Sequence, residues 1–350
     1  MAAKTAVVLG ATGVSGRSLV AHLTSLPDWS VIAVSRRKPD YATRARHVAV
    51  DMSDPAACRA AAPALAEATH VFYTAYVDRP MWVEQRAPNT ALLVNMIEAL
   101  EPVAKNLEHV CLLQGTKYYG HHLGPFKTPA KEDDARHMPP NFYFDQQDYL
   151  AAKSRGKHWS WSAARPHIIC GFALGTPMNV IAVIAVYAAI SKELGLPLRY
   201  PASPAAYSAI RQATQGELLA RAMVWMATTP SCANEAFNIT NGDYFRYEHL
   251  WPKIADLFEM PVGAPQRIDL QQFMPDKAEL WQTMVARHGL RIADFGRVAD
   301  WRFATYTFGS DWDQMSDTYK CRRHGFLEFV DTEAMFLHEL QRFREERIVP

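Results

Sequence analysis

Short β-branched runs alternate with stretches of helical length through residues 1–165. The predicted helices are Gly16–Leu26, Pro55–Ala66 and Asn89–Leu100. The predicted strands are Thr5–Leu9, Ser30–Val34, His47–Val50, Val71–Thr74, His109–Leu113 and Trp161–Ala164. Because strand–helix alternation at this spacing is typical of a parallel sheet covered by helices, we expect an α/β fold with a doubly wound parallel sheet.

The first predicted strand runs directly into the glycine-rich segment Gly10-Ala-Thr-Gly13-Val-Ser-Gly16, which opens a helix. Glycines in such a turn let the backbone approach a pyrophosphate, whose charge then lies at the helix amino terminus. A plain tight turn is the alternative. The position of the turn within a full strand–helix–strand unit favours a Rossmann-type dinucleotide site, with Gly10, Thr12, Gly13, Val14 and Gly16 at the cofactor.

The residues after the second strand indicate which dinucleotide is bound. An NAD site usually has an acid there for the ribose hydroxyls, whereas this chain has Ser35-Arg36-Arg37-Lys38. Guanidinium groups pair well with a phosphate dianion, so the sequence favours NADPH/NADP+, with a solvated basic turn as the alternative. From topology we also place Asp51 and Met52 at the adenine and Thr74 and Ala75 beside the cofactor.

Beyond residue 175 the pattern changes to helices with more tryptophan, tyrosine and proline. One strand-like segment, Ala236–Thr240, is expected to rejoin the sheet. The predicted helices of this half are Pro177–Lys192, Gln215–Ala227, Tyr247–Phe258 and Thr332–Glu346. We therefore divide the chain into an NADP(H)-binding Rossmann domain, residues 1–174, and a mostly helical lobe covering the substrate, residues 175–350.

Composition excludes several other classes of protein. The 37 basic and 36 acidic residues give a formal charge of +1, which does not favour nucleic-acid binding or electrostatic attachment to a membrane. The five cysteines are scattered, which suggests a reducing compartment without disulfides. Without a recognisable leader or a long apolar run, the sequence predicts a cytoplasmic protein. His121, His122 and His167 lack a further ligand cluster, so no metal site is predicted.

Two tyrosine–lysine pairs are candidates for the chemistry of a short-chain reductase, which uses a tyrosine hydroxyl with a lysine nearby. Tyr149 and Lys153 have the usual spacing of one helical turn. Lys117, just past the fifth predicted strand, and Tyr143, in Asn141-Phe-Tyr143-Phe, lie in separate segments. Spacing alone favours Tyr149 with Lys153.

These segments resemble the progesterone 5β-reductase/iridoid synthase family of atypical short-chain reductases. In that family the fifth strand leads into Leu-Gln-Thr-Gly-x-Lys-His-Tyr, followed later by Asn-Phe-Tyr-Tyr-x-x-Glu-Asp. The resemblance places Lys117 and Tyr143 on the family's catalytic lysine and tyrosine. Further matching stretches are Trp161-Ser-Ala-Ala-Arg165-Pro166, Gly171-Phe172, Met178-Asn179, Val186-Tyr-Ala-Ala-Ile190, Asn234-Glu-Ala-Phe-Asn238, Asn241-Gly-Asp243, His324-Gly-Phe326-Leu327 and Ile348-Val-Pro350.

The chain also departs from the family pattern. Leu113-Gln114-Gly115 replaces the Gln-Thr-Gly before the lysine, Phe144 replaces the second tyrosine, and Gln147 replaces the acid. The loop between Lys117 and Tyr143 is shorter than in plant members. Since that loop borders the substrate in the family, these changes concern the substrate rather than the tyrosine and lysine.

The resemblance implies NADPH-dependent 1,4-reduction of the C=C bond of α,β-unsaturated carbonyl compounds. Tyr143 would stabilise the enolate oxygen, and Lys117 would favour the charged form of the tyrosine and help place the cofactor ribose. The family pattern also places Leu113, Gln114, Ile169, Thr176, Pro177 and Met178 at the cofactor. The aromatic residues expected in an apolar substrate pocket are Tyr76, Trp82, Tyr118, Phe144, Tyr207 and Phe303, each of which has plain core packing as its alternative.

Two other functions remain open at this point. One is a carbonyl reductase, dehydrogenase or epimerase of the same class, with hydride added to the carbonyl carbon. The other is a non-catalytic NADP(H)-sensing protein, although a sensor has no need of a tyrosine and a lysine at the site. The expected partner is a small apolar enone, and the sequence leaves a monomer and a homodimer both open.

Overall fold

The computed structural model describes residues 4–350. Its main sheet has seven parallel strands in the order β10-β6-β5-β4-β1-β2-β3. These strands are β1 Lys4–Leu9, β2 Trp29–Ser35, β3 Arg46–Ala49, β4 His70–Tyr73, β5 His109–Leu113, β6 Ser160–Pro166 and β10 Glu235–Ile239. The predicted Rossmann-type α/β fold is confirmed, and the Ala236–Thr240 pattern marks the strand that returns to the sheet.

Both faces of this sheet are covered by helices because side chains alternate along its buried strands. On β1, the side chains of Val7 and Leu9 belong to the core on one face of the sheet, which also contains Leu92 and Leu93. The side chains of Ala6 and Val8 belong to the core on the other face, which also contains Leu19 and Leu218. The helices of the amino-terminal half are α1 Val14–Ser25, α2 Pro55–Ala61, α3 Trp82–Leu100 and α4 Phe142–Lys153.

The third helix begins at Trp82, earlier than the predicted start at Asn89. Pro88, the residue before the predicted start, lies inside the helix. The amino end of α3 is held by a Glu84 carboxylate that accepts a hydrogen bond from the backbone of Met81 at 3.4 Å. The capping therefore extends the helix past a proline that usually ends one.

The carboxyl half contains the remaining helices around an aromatic core. Every residue of α5 from Val180 to Ser191 is buried, so this apolar run is a core helix. The remaining elements are β7 Ile168–Cys170, α5 Val180–Glu193, β8 Leu198–Arg199, α6 Pro204–Ser208, β9 Ala213–Gln215, α7 Gly216–Thr228, α8 Tyr247–Leu257, β11 Val262–Gly263, α9 Leu270–Phe273, α10 Ala278–His288, α11 Trp301–Gly309, α12 Tyr319–Arg323 and α13 Thr332–Glu345. Within residues 4–350, no helix is both long and apolar enough to cross a bilayer.

Gly16 is required by packing inside the glycine turn. A Cβ at this position would overlap the carbonyl oxygen of Gly10. We expect Gly16→Ala to lower the free energy of unfolding by about 1–3 kcal/mol, the usual cost of forcing an extra carbon into a packed site. Chemical denaturation measures the change.

Gly309→Ala is the matched control, because a Cβ at Gly309 would meet no atom within 4 Å. It should leave stability unchanged. An equal loss of stability in both variants would contradict the steric argument.

Candidate active site

The glycine turn lies against the end of the neighbouring strand β4. Gly10 has φ 90°, and a Cβ there would lie 2.8 Å from the backbone nitrogen of Ala75. Thr74 Oγ1 donates a hydrogen bond to the carbonyl of Leu9 at 2.8 Å. The turn and Thr74-Ala75, predicted separately as cofactor contacts, are therefore adjacent at the carboxyl edge of the sheet.

The amino terminus of α1 is open to an anion. Its N-cap, Gly13, makes no side-chain capping hydrogen bond, and the first turn contains no acidic residue. A Cβ on Gly13 would have its nearest contact at 3.7 Å, so the protein leaves room in front of this residue. Thr12 and Val14 flank it in the turn. Uncapped N–H groups and the helix dipole fit the pyrophosphate of a dinucleotide.

Arg36 and Arg37 follow β2 and are exposed. Ser35 is buried, and its hydroxyl donates to the carbonyl of Arg37 at 2.7 Å, which fixes the start of this turn. Asp51 accepts hydrogen bonds from Ser53; these bonds, and to a lesser extent the charge of Arg36, lower the pKa of Asp51. Two guanidinium groups are thus exposed at the end of β2.

The segment after β7 carries strained backbone and an unpaired polar atom. Ile169 lies in β7, and Met178 adopts φ 60°, a conformation that costs a side-chain-bearing residue about 1–3 kcal/mol. The hydroxyl of Thr176 is buried without a hydrogen-bond partner in the described part of the chain. An orphaned hydroxyl in a strained loop is consistent with a ligand contact at Thr176-Pro177-Met178.

Lys117 and Tyr143 come from different elements and line the same cleft. Lys117 lies in a short 3-10 turn after β5, and Tyr143 is the second residue of α4. Asn141 joins the two: its side chain accepts a hydrogen bond from the Tyr143 N–H at 3.0 Å and donates to the Lys117 carbonyl at 2.8 Å. The cleft is lined by Trp82, Lys117, His122, Pro140, Asn141, Phe142 and Tyr143.

A buried arginine also holds the first turns of α4. Arg165, at the end of β6, donates from Nε to the Gln114 side chain at 2.9 Å and from Nη2 to Gln147 at 3.0 Å. The Gln114 amide in turn donates to the carbonyl of Tyr143 at 2.9 Å. Leu113, the last residue of β5, is only partly buried. Gln147, which replaces the family's acid, accepts a hydrogen bond from Arg165 through a neutral amide.

The charges in the cleft are set by burial. Burial lowers the pKa of Lys117 to about 7, and its ammonium lies 4.2 Å from the centre of the Trp82 ring and 5.5 Å from that of Tyr306. Burial raises the pKa of Tyr143, so its phenol stays protonated at neutral pH. The site therefore presents an uncharged hydroxyl donor and a lysine that titrates near neutrality.

Tyr149 and Lys153, the pair with ordinary spacing, lie elsewhere on α4 and are bound to α3. The Tyr149 hydroxyl donates to Glu98 at 2.7 Å, and the Lys153 ammonium donates to both oxygens of the same carboxylate at 2.8 Å. Lys153 also pairs with Glu101 at 3.2 Å. These contacts engage both side chains in holding two helices together.

The predicted pocket aromatics are distributed over three places. Tyr76 lies beside the cleft: its ring centre is 6.0 Å from that of Phe142, and Trp82 lines the cleft itself. Tyr118 and Phe144 form an aromatic cluster behind Tyr143, with the Arg165 guanidinium 3.4 Å from the Tyr118 ring centre. Tyr207 and Phe303 pack against the core of the carboxyl half.

Sequence reasoning did not identify His122, Tyr306 or Phe142 as parts of this site. Phe142 and His122 line the cleft, and the Tyr306 hydroxyl is 3.2 Å from Nε2 of His121. Phe142 could have been found from the sequence, because it lies within the motif Asn141-Phe-Tyr143. Tyr306 comes from α11, and no spacing rule connects it with Lys117.

Comparison with known proteins identifies relatives over the whole chain. The PRISE-like Rossmann-fold domain family matches residues 51–350. The (S)-8-oxocitronellyl enol synthase CYC2 of Camptotheca acuminata is 34% identical, covering 99% of this chain and 93% of its own. The 3-oxo-Delta(4,5)-steroid 5-beta-reductase of Arabidopsis thaliana is 33% identical with the same coverage. The short chain dehydrogenase gsfE of Penicillium aethiopicum is 32% identical and covers 99% of both chains.

Solved structures agree on the fold. The Bordetella bronchiseptica enzyme WbmH in complex with NAD+ superimposes with a TM-score of 0.68 at 16% identity, covering 98% of this chain and 99% of its own. The UDP-glucose 4-epimerase of Thermotoga maritima has a TM-score of 0.70 at 15% identity, with 97% and 99% covered. The resemblance to the progesterone 5β-reductase/iridoid synthase family is confirmed by the full-length relatives: the chain belongs to the PRISE-like Rossmann-fold family and is an oxidoreductase of the short-chain type.

Proposed function

We propose that this protein uses NADPH to reduce the C=C bond of α,β-unsaturated carbonyl compounds, adding hydride to the β-carbon. The observation that carries the proposal is the meeting of Lys117 and Tyr143 in one cleft, while Glu98 binds the alternative tyrosine and lysine. Relatives named as an enol synthase and a steroid 5-beta-reductase support the same reaction class.

The glycine turn before α1 and the basic turn after β2 would bind the cofactor. The α1 amino terminus would hold the pyrophosphate, and Arg36 and Arg37 would hold the phosphate that distinguishes NADPH from NADH. Asp51, Met52, Thr74, Ala75 and the Thr176 segment would line the remainder. When bound, a nicotinamide cofactor supplies the hydride.

Tyr143 would act on the substrate oxygen. Negative charge develops on that oxygen as the enolate forms, and a hydroxyl donor aimed at it stabilises the transition state more than the ground state. The raised pKa of Tyr143 keeps the donor hydrogen in place at neutral pH. Lys117, when protonated, would add a positive charge beside the developing enolate, and the aromatic rings around it limit its hydration.

Removing the Tyr143 hydroxyl should remove most of the activity. With NADPH and cyclohexenone we expect cyclohexanone as product, and Tyr143→Phe should lower kcat by about 10²–10³, the usual cost of losing one such donor. Chromatographic product analysis and initial rates measure both effects.

Tyr149→Phe is the matched control and should change kcat by less than about threefold, since Tyr149 binds Glu98. An allylic alcohol as product would refute the proposed reaction. A larger loss in Tyr149→Phe than in Tyr143→Phe would refute the residue assignment.

The lowered pKa of Lys117 predicts a pH dependence. The ammonium is populated below about pH 7 and lost above it, so kcat/KM for NADPH, which reports ionisations of the free protein, should fall as pH rises through 7. Lys117→Arg keeps its charge at high pH and should remove this fall, even if its overall rate is lower.

The measurement is a pH–rate profile from steady-state kinetics. Lys153→Arg serves as the control. It should retain the pH profile of the unsubstituted protein, because the Lys153 ammonium binds Glu98 on α3. A profile of Lys117→Arg with an unchanged inflection would contradict the assignment.

Replacing Arg36 and Arg37 together by serine should raise KM for NADPH by about tenfold or more, because each charge-assisted hydrogen bond to a phosphate contributes about 1.5–3 kcal/mol. KM for NADH should change little. Arg59→Ser, another exposed arginine, is the control. Equal effects on NADPH and NADH would contradict a phosphate contact.

A further inference from the structure

The cleft beside Tyr143 has one polar side chain more than the proposed reaction uses. Four polar residues line it: Lys117, His122, Asn141 and Tyr143. The Asn141 amide is occupied by the backbone of Tyr143 and Lys117. The proposed reaction uses the Lys117 ammonium and the Tyr143 hydroxyl, so His122 remains without a role.

The His122 ring packs between two other rings. Its ring centre lies 4.6 Å from that of Trp82 and 5.1 Å from that of His137. Its Nδ1 is buried and has no hydrogen-bond partner within residues 4–350. Since buried polar atoms in native proteins are nearly always paired, a nitrogen left free on a cleft-lining ring is suited to a ligand.

The charge state of His122 defines what it can bind. Burial, reinforced by the positive charges of His137 and Lys117, lowers its pKa to about 4. The imidazole is therefore neutral at physiological pH, with one N–H donor and one nitrogen acceptor. Such a ring binds an uncharged oxygen, either a carbonyl that accepts or a hydroxyl that donates or accepts.

We propose that His122 is a specificity-determining residue that binds a second oxygen of the substrate, separate from the carbonyl oxygen at Tyr143. Trp82, Pro140 and Phe142 make the rest of the lining largely apolar. The substrate class is thus a hydrophobic enone that carries a further carbonyl or hydroxyl group. This inference rests on the proposed function, which supplies the position of the first oxygen.

A buried hydrogen-bonding group discriminates strongly, because a substrate that lacks the matching oxygen leaves the group unpaired. His122 should therefore affect the preference between substrates more than the rate with a plain enone. A merely structural histidine would change both substrates of a matched pair equally.

The experiment compares matched pairs of substrates in the unsubstituted protein and in His122→Phe. Cyclohexenone is paired with its γ-hydroxy derivative, and a linear octenone with the corresponding octenedione. For each pair, the ratio of kcat/KM for the oxygenated compound to that for the plain one cancels rate differences common to both compounds. In at least one pair we expect His122→Phe to lower this ratio by threefold or more, and by about tenfold when a full hydrogen bond is lost.

Two further variants separate binding from packing. His122→Gln retains an amide that can donate and accept, and it should restore part of the preference. His158→Phe replaces an exposed histidine outside the cleft and should change no ratio. A change of less than threefold in both pairs for His122→Phe overturns the proposal.

A binding measurement distinguishes failure of this inference from failure of the proposed function. If none of the four compounds is reduced, the proposed reaction is wrong, and protein labelled with ¹⁵N-histidine still tests His122. Its imidazole signals, assigned with His122→Phe, should shift on addition of the γ-hydroxy enone but not of cyclohexenone. The same response to both compounds overturns the role of His122.

Discussion

The parallel pairing of β1, β4, β5 and β6 is the constraint on which the site depends. Leu9 pairs with Tyr73, Tyr73 with Leu112, and Leu113 with Ala164, so these strands end at one edge of the sheet. Because parallel strands all point the same way, the segments that follow them emerge side by side. The glycine turn, the Lys117 turn and Arg165 are neighbours for this reason.

Hydrogen bonds to the backbone of Tyr143 hold this residue at the same edge of the sheet. Its N–H donates to the Asn141 side chain at 3.0 Å, and its carbonyl accepts from the Gln114 amide at 2.9 Å. Arg165, only 1% exposed, holds Gln114 and Gln147 in place through neutral amides. The hydroxyl is therefore positioned by groups that do not themselves need to touch a substrate, while burial raises its pKa and keeps the phenol protonated.

The two tyrosines of α4 have different surroundings because only one of them lies at this edge of the sheet. Tyr143 lies in the first turn of α4, at the sheet edge, and Tyr149 lies further along the helix against α3. The spacing of Tyr149 and Lys153 is that of an ordinary short-chain reductase pair, yet an i, i+4 spacing also suits two side chains that share one carboxylate. Spacing alone favours Tyr149 with Lys153, whereas the ordered motifs around Lys117 and Tyr143 favour the other pair.

By itself the sequence determined the doubly wound fold, the glycine turn and the family, because hydrophobic periodicity, turn residues and motif order are local properties of a chain. It also supplied Lys117 and Tyr143 as candidates through their motifs. Only the tertiary structure decided that Trp82, His122 and Tyr306 surround Lys117, and that Tyr207 and Phe303 pack in the carboxyl core. These residues come from segments far apart along the chain, and their convergence depends on how helices and loops pack against the sheet, which no local pattern encodes.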